Sequence, residues 1–124
     1  MILLAEDSRF MRLAMERMLV KAGYKVVSAD DGQAAVRLAQ ESKPDLILLD
    51  MMLPKLSGPE VLAVLKGNSN TSGIPVVVLT SLSQKNEPKL LQAGAAAYLL
   101  KTDKLLKPDS RLLSLVETLL RKPT

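Results

Sequence analysis

The chain has 124 residues, 48% of them hydrophobic and 24% charged, with a net charge of +4. That length fits one domain, 1–124, able to bury a real core, and leaves no room for a second folded unit. The absence of cysteine and histidine excludes disulfides, thiolate or histidine metal sites, Ser-His hydrolysis and histidine general-base catalysis. Aromatics are scarce, so Leu, Val, Ala, Met and Ile must build the core. No apolar run approaches the roughly 20 residues of a membrane span. The N-terminus enters a strand directly, without a basic region or signal peptide, so a cytoplasmic protein with no membrane partner is expected. The positive charge is concentrated in the C-terminal half, which reads as a solvated Lys-rich surface. Without clustered Arg, interleaved aromatics or a helix-turn-helix pattern, no direct nucleic-acid contact is expected.

Residues 1–6 read as a first strand. Ser8 caps a helix that runs to about Ala22 and stops at Gly23. Its core stripe is Met11, Ala14, Met15, Met18, Leu19 and Ala22, at i, i+3, i+4 spacing. That leaves Phe10 and Leu13 on a face turned away from the sheet, rimmed by Arg9, Arg12 and Arg17. Lys25 to Ala29 is a short second strand. Asp30 or Asp31 caps the next helix, with Ala34, Ala35, Leu38 and Ala39 inward. Pro44 closes the connection to a third strand, Asp45 to Asp50, whose run Leu46-Ile47-Leu48-Leu49 is apolar on both faces.

Met51 to Ser57 is a loop, and Ser57 caps a helix with Pro59 in its first turn, where a missing N–H costs nothing. Val61, Leu62 and Leu65 pack inward and Gly67 ends it. Pro75 to Thr80 is a fourth strand. A short helix is predicted from about Lys85 to Ala93, and a fifth strand from Ala95 to Leu100. Residues 101–108 are a Lys-rich loop. Asp109 or Ser110 caps a last helix through Leu120.

Five strands and five helices in strict alternation imply an α/β fold, a parallel sheet with helices on both faces. In such sheets functional groups collect beyond the carboxyl ends of the strands. There stand Glu6 and Asp7, then Asp50, then Thr80 and Ser81, then Lys101. Lys101 alone fits a solvated loop and Thr80 alone fits a β-branched strand residue. Four coincident placements favour a site. Crowded carboxylates repel, and a hard divalent cation relieves the repulsion.

With these residues in place, the chain resembles a response-regulator receiver domain, the CheY-like phosphoacceptor module of two-component signalling. Glu6-Asp7 match the family's acidic pair. Asp50-Met51-Met52-Leu53-Pro54-Lys55-Leu56-Ser57-Gly58 match its acceptor aspartate and loop, and Thr80 its hydroxyl after a Val-rich strand. Tyr98-Leu99-Leu100-Lys101, preceded by Ala93-Gly94-Ala95, match its aromatic and lysine. The resemblance covers essentially the whole chain. It implies a doubly wound, flavodoxin-like sheet of order 2-1-3-4-5. It implies that Asp50 takes a phosphoryl group from a phosphohistidine on a histidine kinase or histidine phosphotransfer protein. Mg²⁺, with Mn²⁺ as a substitute, would be held by Asp7, Asp50 and the Met52 carbonyl, and by Glu6 through water. Lys101 would neutralise developing charge. Thr80 and Tyr98 would form a switch that biases a protein-binding face. The first helix would dock the donor through Phe10 and Leu13. A phosphorylation-dependent homodimer is a further expected partner.

The family usually places proline after the lysine, with a cis bond that aims the loop. Here Thr102 follows, where a cis bond would cost about 3–4 kcal/mol, so the expectation is a differently shaped trans loop or a strained peptide. A cofactor-carrying flavodoxin is a poor alternative, because Glu6-Asp7 would repel its phosphate. A haloacid-dehalogenase-type phosphohydrolase needs a second Asp where Met52 stands, and Met transfers no proton. The expectation is therefore self-phosphorylation with slow self-hydrolysis, not a turnover enzyme. A phosphorylation-independent binding module with this fold is the remaining alternative. No effector domain is expected. The output is either a downstream protein target or a domain of a longer regulator from which this receiver was cut.

Overall fold

The computed structural model describes residues 1–80, 89, 92–101, 103–107 and 110–120. Its elements are β1 (Ile2–Ala5), α1 (Arg9–Lys21), β2 (Val26–Ala29), α2 (Gly32–Ser42), β3 (Leu46–Asp50), α3 (Gly58–Lys66), β4 (Val76–Thr80), β5 (Ala97–Leu100), a 3₁₀ turn (Asp103–Leu106) and α4 (Arg111–Leu120). The sheet is parallel throughout, in the order β2-β1-β3-β4-β5. This is the doubly wound arrangement that strand–helix alternation implies.

The alternation of side chains along each strand divides the core in two. Leu3, Ala5, Ile47, Leu49, Val76 and Val78 face α2 and α3. Ile2, Leu4, Leu46, Leu48, Val77 and Leu79 face α1 and α4, where Met15, Leu19, Leu112 and Val116 complete the layer. Strands buried on both faces need apolar residues at every position, which is why β1, β3 and β4 read as unbroken apolar runs.

Side-chain caps set the helix starts. Ser8 accepts from the Met11 N–H, Asp31 from Ala34 N–H, and Ser57 from Glu60 N–H, with Glu60 reaching back to Ser57 N–H as a capping box. Of the two candidate caps for α2, the structure uses Asp31. Gly23, just past α1, has φ of 102°, a conformation that favours glycine.

Four α-helices occur among the described residues, where the sequence predicts five. The missing one falls on 85–93, of which Lys89, Gln92 and Ala93 lie among the described residues, Lys89 and Gln92 helical and Ala93 in a turn. Two readings are corrected. Ala22 is exposed, outside the core stripe, because the helix ends at Lys21. The segment 101–108 is not a plain loop: Asp103–Leu106 form a 3₁₀ turn that buries Leu105 under the α1–α4 layer. Thr102, and with it the Lys101-Thr102 peptide, lies outside the described residues, as does Asp109.

Candidate functional site

Strand register brings the polar strand ends together. Ala5 pairs with Leu49, so Glu6 and Asp50 are the next residues along adjacent strands. Asp50 pairs with Leu79 and Thr80 with Leu100, so Thr80 and Lys101 follow at the same edge. The Lys101 N–H donates to Thr80 O at 2.8 Å, extending the ladder to the site.

Glu6 is 0% exposed and Asp50 3%, whereas Asp7 is exposed. Carboxylate oxygens of Glu6, Asp7 and Asp50 all lie within 4.8 Å of one another. Lys101 Nζ sits between two of them, 2.6 Å from Glu6 Oε1 and 3.1 Å from Asp50 Oδ2. The contact to Asp50 is a hydrogen bond. The one to Glu6 is an ion pair, and Oε1 has no hydrogen-bond partner among the described residues. Glu6 Oε2 accepts from Ser8 N–H at 3.1 Å, and Asp50 Oδ1 from Met52 N–H at 3.4 Å.

Burial pushes the Glu6 carboxyl above its ordinary range, and the neighbouring Asp50 carboxylate pushes it further, against the pull of Lys101. Burial disfavours the Lys101 ammonium, but its bonds and charge contacts with Glu6 and Asp50 outweigh that and hold it above its ordinary value. Three hard oxygen donors, one buried and poorly satisfied, fit a divalent cation of the Mg²⁺ type.

A family model of the response regulator receiver domain matches residues 2–108. The chain belongs to the response-regulator receiver family. The transcriptional regulatory protein PdtaR of Mycobacterium tuberculosis is 38% identical over 102 residues, covering 81% of this chain and 48% of PdtaR, so the chain spans about half the length of that relative. The polar-differentiation response regulator DivK of Brucella anthropi is 34% identical over 101 residues, covering 81% of this chain and 82% of DivK. Among solved structures, the BeF3-activated N-terminal receiver domain of Klebsiella pneumoniae RstA superposes with a TM-score of 0.86 at 34% identity, covering 98% of each chain. The receiver domain of the sensor histidine kinase PA1611 of Pseudomonas aeruginosa, with magnesium coordinated in its active-site cleft, gives 0.78 at 33% identity, covering 95% of this chain and 92% of that one. This is thus a receiver domain of two-component signalling, and its acidic pocket of Glu6, Asp7 and Asp50 fits a phosphoacceptor site. Receiver domains bind Mg²⁺ in that pocket and interact with histidine kinases and downstream targets. No helix among the described residues is long and apolar enough to cross a membrane.

The remaining predicted residues lie as follows. Thr80 is buried at the strand end, and Tyr98 is half-buried against the α2–α3 side of the core. Met52 donates its N–H to Asp50 while its side chain is exposed. Phe10 is 74% exposed and Leu13 is also exposed, several residues from the acids along α1. Arg12 is not at their rim: its guanidinium folds back onto the Glu6 and Asp7 carbonyls. Sequence reasoning also missed Val20, exposed on the same helix one turn beyond Arg17. Its i+7 spacing from Leu13 is the signal that would have found it.

Proposed function

We propose that Asp50 is the phosphoacceptor. An Asp50 carboxylate oxygen attacks the phosphorus of a phosphohistidine on a histidine kinase or histidine phosphotransfer protein. The P–N bond breaks, its electron pair stays on the imidazole nitrogen, and the phosphoryl group becomes an aspartyl phosphate. The supporting observation is the buried Asp50 carboxylate at the sheet edge, in contact with the Lys101 ammonium and within 4.8 Å of carboxylate oxygens of Glu6 and Asp7. Lys101 neutralises charge on the phosphoryl oxygens. Mg²⁺, or Mn²⁺ in its place, held by Asp7, Asp50 and the Met52 carbonyl with Glu6 behind them, would supply further positive charge there.

Thr80 hydrogen-bonds a phosphoryl oxygen, and Tyr98 on the adjoining strand follows its movement, which switches a face that binds a downstream protein, an effector domain or a second phosphorylated copy. The chain works as one receiver domain, 1–124, in the cytoplasm, and it is not a turnover enzyme. Its self-hydrolysis is slow because Met52 offers no proton-transfer group.

The test uses acetyl phosphate with Mg²⁺ and intact-mass analysis. Wild type should gain one phosphoryl group, and Asp50→Ala none. An adduct that survives Asp50→Ala, or forms equally well in excess chelator, refutes the proposal. In the phosphorylated sample, amide exchange should change along β4 and β5, and unchanged exchange there would remove the Thr80–Tyr98 switch.

For the donor, we propose docking on the outward face of α1. Phe10 and Leu13 share that face, and Leu13 continues into a shallow groove lined by Glu16, Arg17, Val20 and Lys21. An apolar anchor with a charged rim suits a helical partner. Phe10→Ala with Leu13→Ala should slow transfer from the cognate phosphohistidine protein and leave acetyl phosphate labelling nearly unchanged. Equal loss with both donors would indicate a damaged pocket, and no loss with either an idle patch.

A further inference from the structure

Arg12 lies at the end of the first turn of α1, and its side chain turns back over the β1–α1 connection. Its Nη1 donates to Glu6 O at 2.9 Å and to Asp7 O at 3.4 Å. These two carbonyls belong to the successive peptide planes that flank the Asp7 Cα. Each plane is rigid, so fixing both fixes the φ and ψ of Asp7 and the direction of its Cβ. Asp7 is the exposed member of the acidic trio. Glu6 has other anchors: its N–H donates to Ala29 O at 3.0 Å, and its Oε2 accepts from Ser8 N–H. The Asp7 carboxylate stands at the open rim, where its aim depends on the backbone beneath it.

We propose that Arg12 is a positioning residue: by clamping the peptides on either side of Asp7, it keeps that carboxylate turned into the acidic pocket and so raises the pocket's affinity for a divalent cation. The inference rests on the metal-binding reading of Glu6, Asp7 and Asp50.

The sign of one measurement separates this role from simple electrostatics. As a nearby positive charge, Arg12 repels Mg²⁺, so removing it should tighten binding. As a clamp, its removal should weaken binding. Partners that orient metal-ligating groups typically contribute about tenfold or more in metal affinity.

The test is calorimetric titration of the full chain with Mg²⁺, without any phosphoryl donor, for wild type, Arg12→Met and Arg12→Lys. Arg12→Met should raise the Mg²⁺ Kd about tenfold. Arg12→Lys, which keeps the charge and one reaching donor group without the guanidinium geometry, should recover part of that loss. Acetyl phosphate labelling at saturating Mg²⁺ should be near wild type in both, because metal concentration repairs an affinity defect. Arg12→Met binding Mg²⁺ as tightly as wild type, or more tightly, overturns the inference and leaves the pocket reading intact. Poor labelling that saturating Mg²⁺ does not restore also overturns it, by showing a general folding role. A wild-type protein that takes up no Mg²⁺ overturns the inference together with the metal reading beneath it.

Discussion

Lys101→Met is expected to destabilise the metal-free protein by about 3 kcal/mol at neutral pH, because it leaves buried carboxylates without their cation. Glu6 and Asp50 are almost fully buried, and both contact the Lys101 ammonium. The loss should depend on pH in a definite direction. The Glu6 carboxyl is already raised above its ordinary value of 4.5, by burial first and by Asp50 second. A raised carboxyl favours the folded state most below its ordinary value, and that contribution is lost as pH rises through the folded value. Removing Lys101 takes away the contact that pulls Glu6 down, so the folded value rises further. The cost of Lys101→Met should therefore be largest at neutral pH and shrink toward pH 4.5, where a protonated Glu6 needs no cation. Lys101 itself is raised above 10.5, so its contribution is complete below that pH and is lost above it, through the folded value.

Two further effects follow from the same geometry. Mg²⁺ should bind Lys101→Met more tightly than wild type, because the ammonium no longer competes for Glu6 and Asp50. Phosphorylation by acetyl phosphate should nonetheless slow by roughly 100-fold, the typical loss when one group that stabilises developing negative charge is removed. Denaturant melts in chelator at pH 7 and pH 5, calorimetric titration with Mg²⁺, and labelling at saturating Mg²⁺ check all three. An equal stability loss at both pH values would contradict the Glu6 assignment.

Gly32→Ala is the second large effect. Gly32 opens α2, where alanine is ordinarily better than glycine by about 1 kcal/mol. Here a Cβ would stand 2.0 Å from Leu56 O, 2.5 Å from Leu56 Cβ and 2.7 Å from Leu56 C, two of which are backbone atoms with no rotamer to change. The Gly32 N–H donates to Pro54 O at 3.0 Å, and Asp31 pairs with Lys55 at 3.4 Å, so the whole 54–56 segment is bound to the start of α2. Lys55 holds φ at 70°, a further sign that the loop follows a constrained path. Forcing that loop outward should cost about 3 kcal/mol, the upper end of ordinary overpacking. It should also weaken Mg²⁺ binding, because the loop follows directly on Asp50 and carries Met52. Gly73→Ala is the control: nothing among the described residues lies within 4 Å of its Cβ position, and its stability should be close to wild type. Urea midpoints for both variants check this, and a Gly32→Ala protein no weaker than Gly73→Ala would show that the loop yields freely.

Much of this molecule is determined locally. The apolar runs of β1, β3 and β4, the Ser8, Asp31 and Ser57 caps, and the helical spacing of Met15 with Leu19 or Leu112 with Val116 each depend on neighbours within a few residues. Strict alternation then dictates a parallel sheet, and a parallel sheet places every strand's carboxyl end at one edge. That is why Glu6, Asp7, Asp50, Thr80 and Lys101, far apart in the chain, were legible as one set. What the residues by themselves left open depends on long-range geometry. Either Asp30 or Asp31 has the chemistry to cap α2, and only packing against Pro54 and Leu56 selects Asp31 with Gly32 behind it. Leu105 sits in a lysine-rich stretch whose composition reads as loop, and is buried because α1 and α4 leave an apolar gap above the sheet edge. Arg12 has the helical phase of an exposed rim residue, yet its long side chain reaches the Glu6 and Asp7 carbonyls once β1 enters α1 at this angle. Helical phase fixes where a Cβ points. Where a guanidinium several bonds further out comes to rest is decided by the acceptors that the tertiary fold brings within its reach.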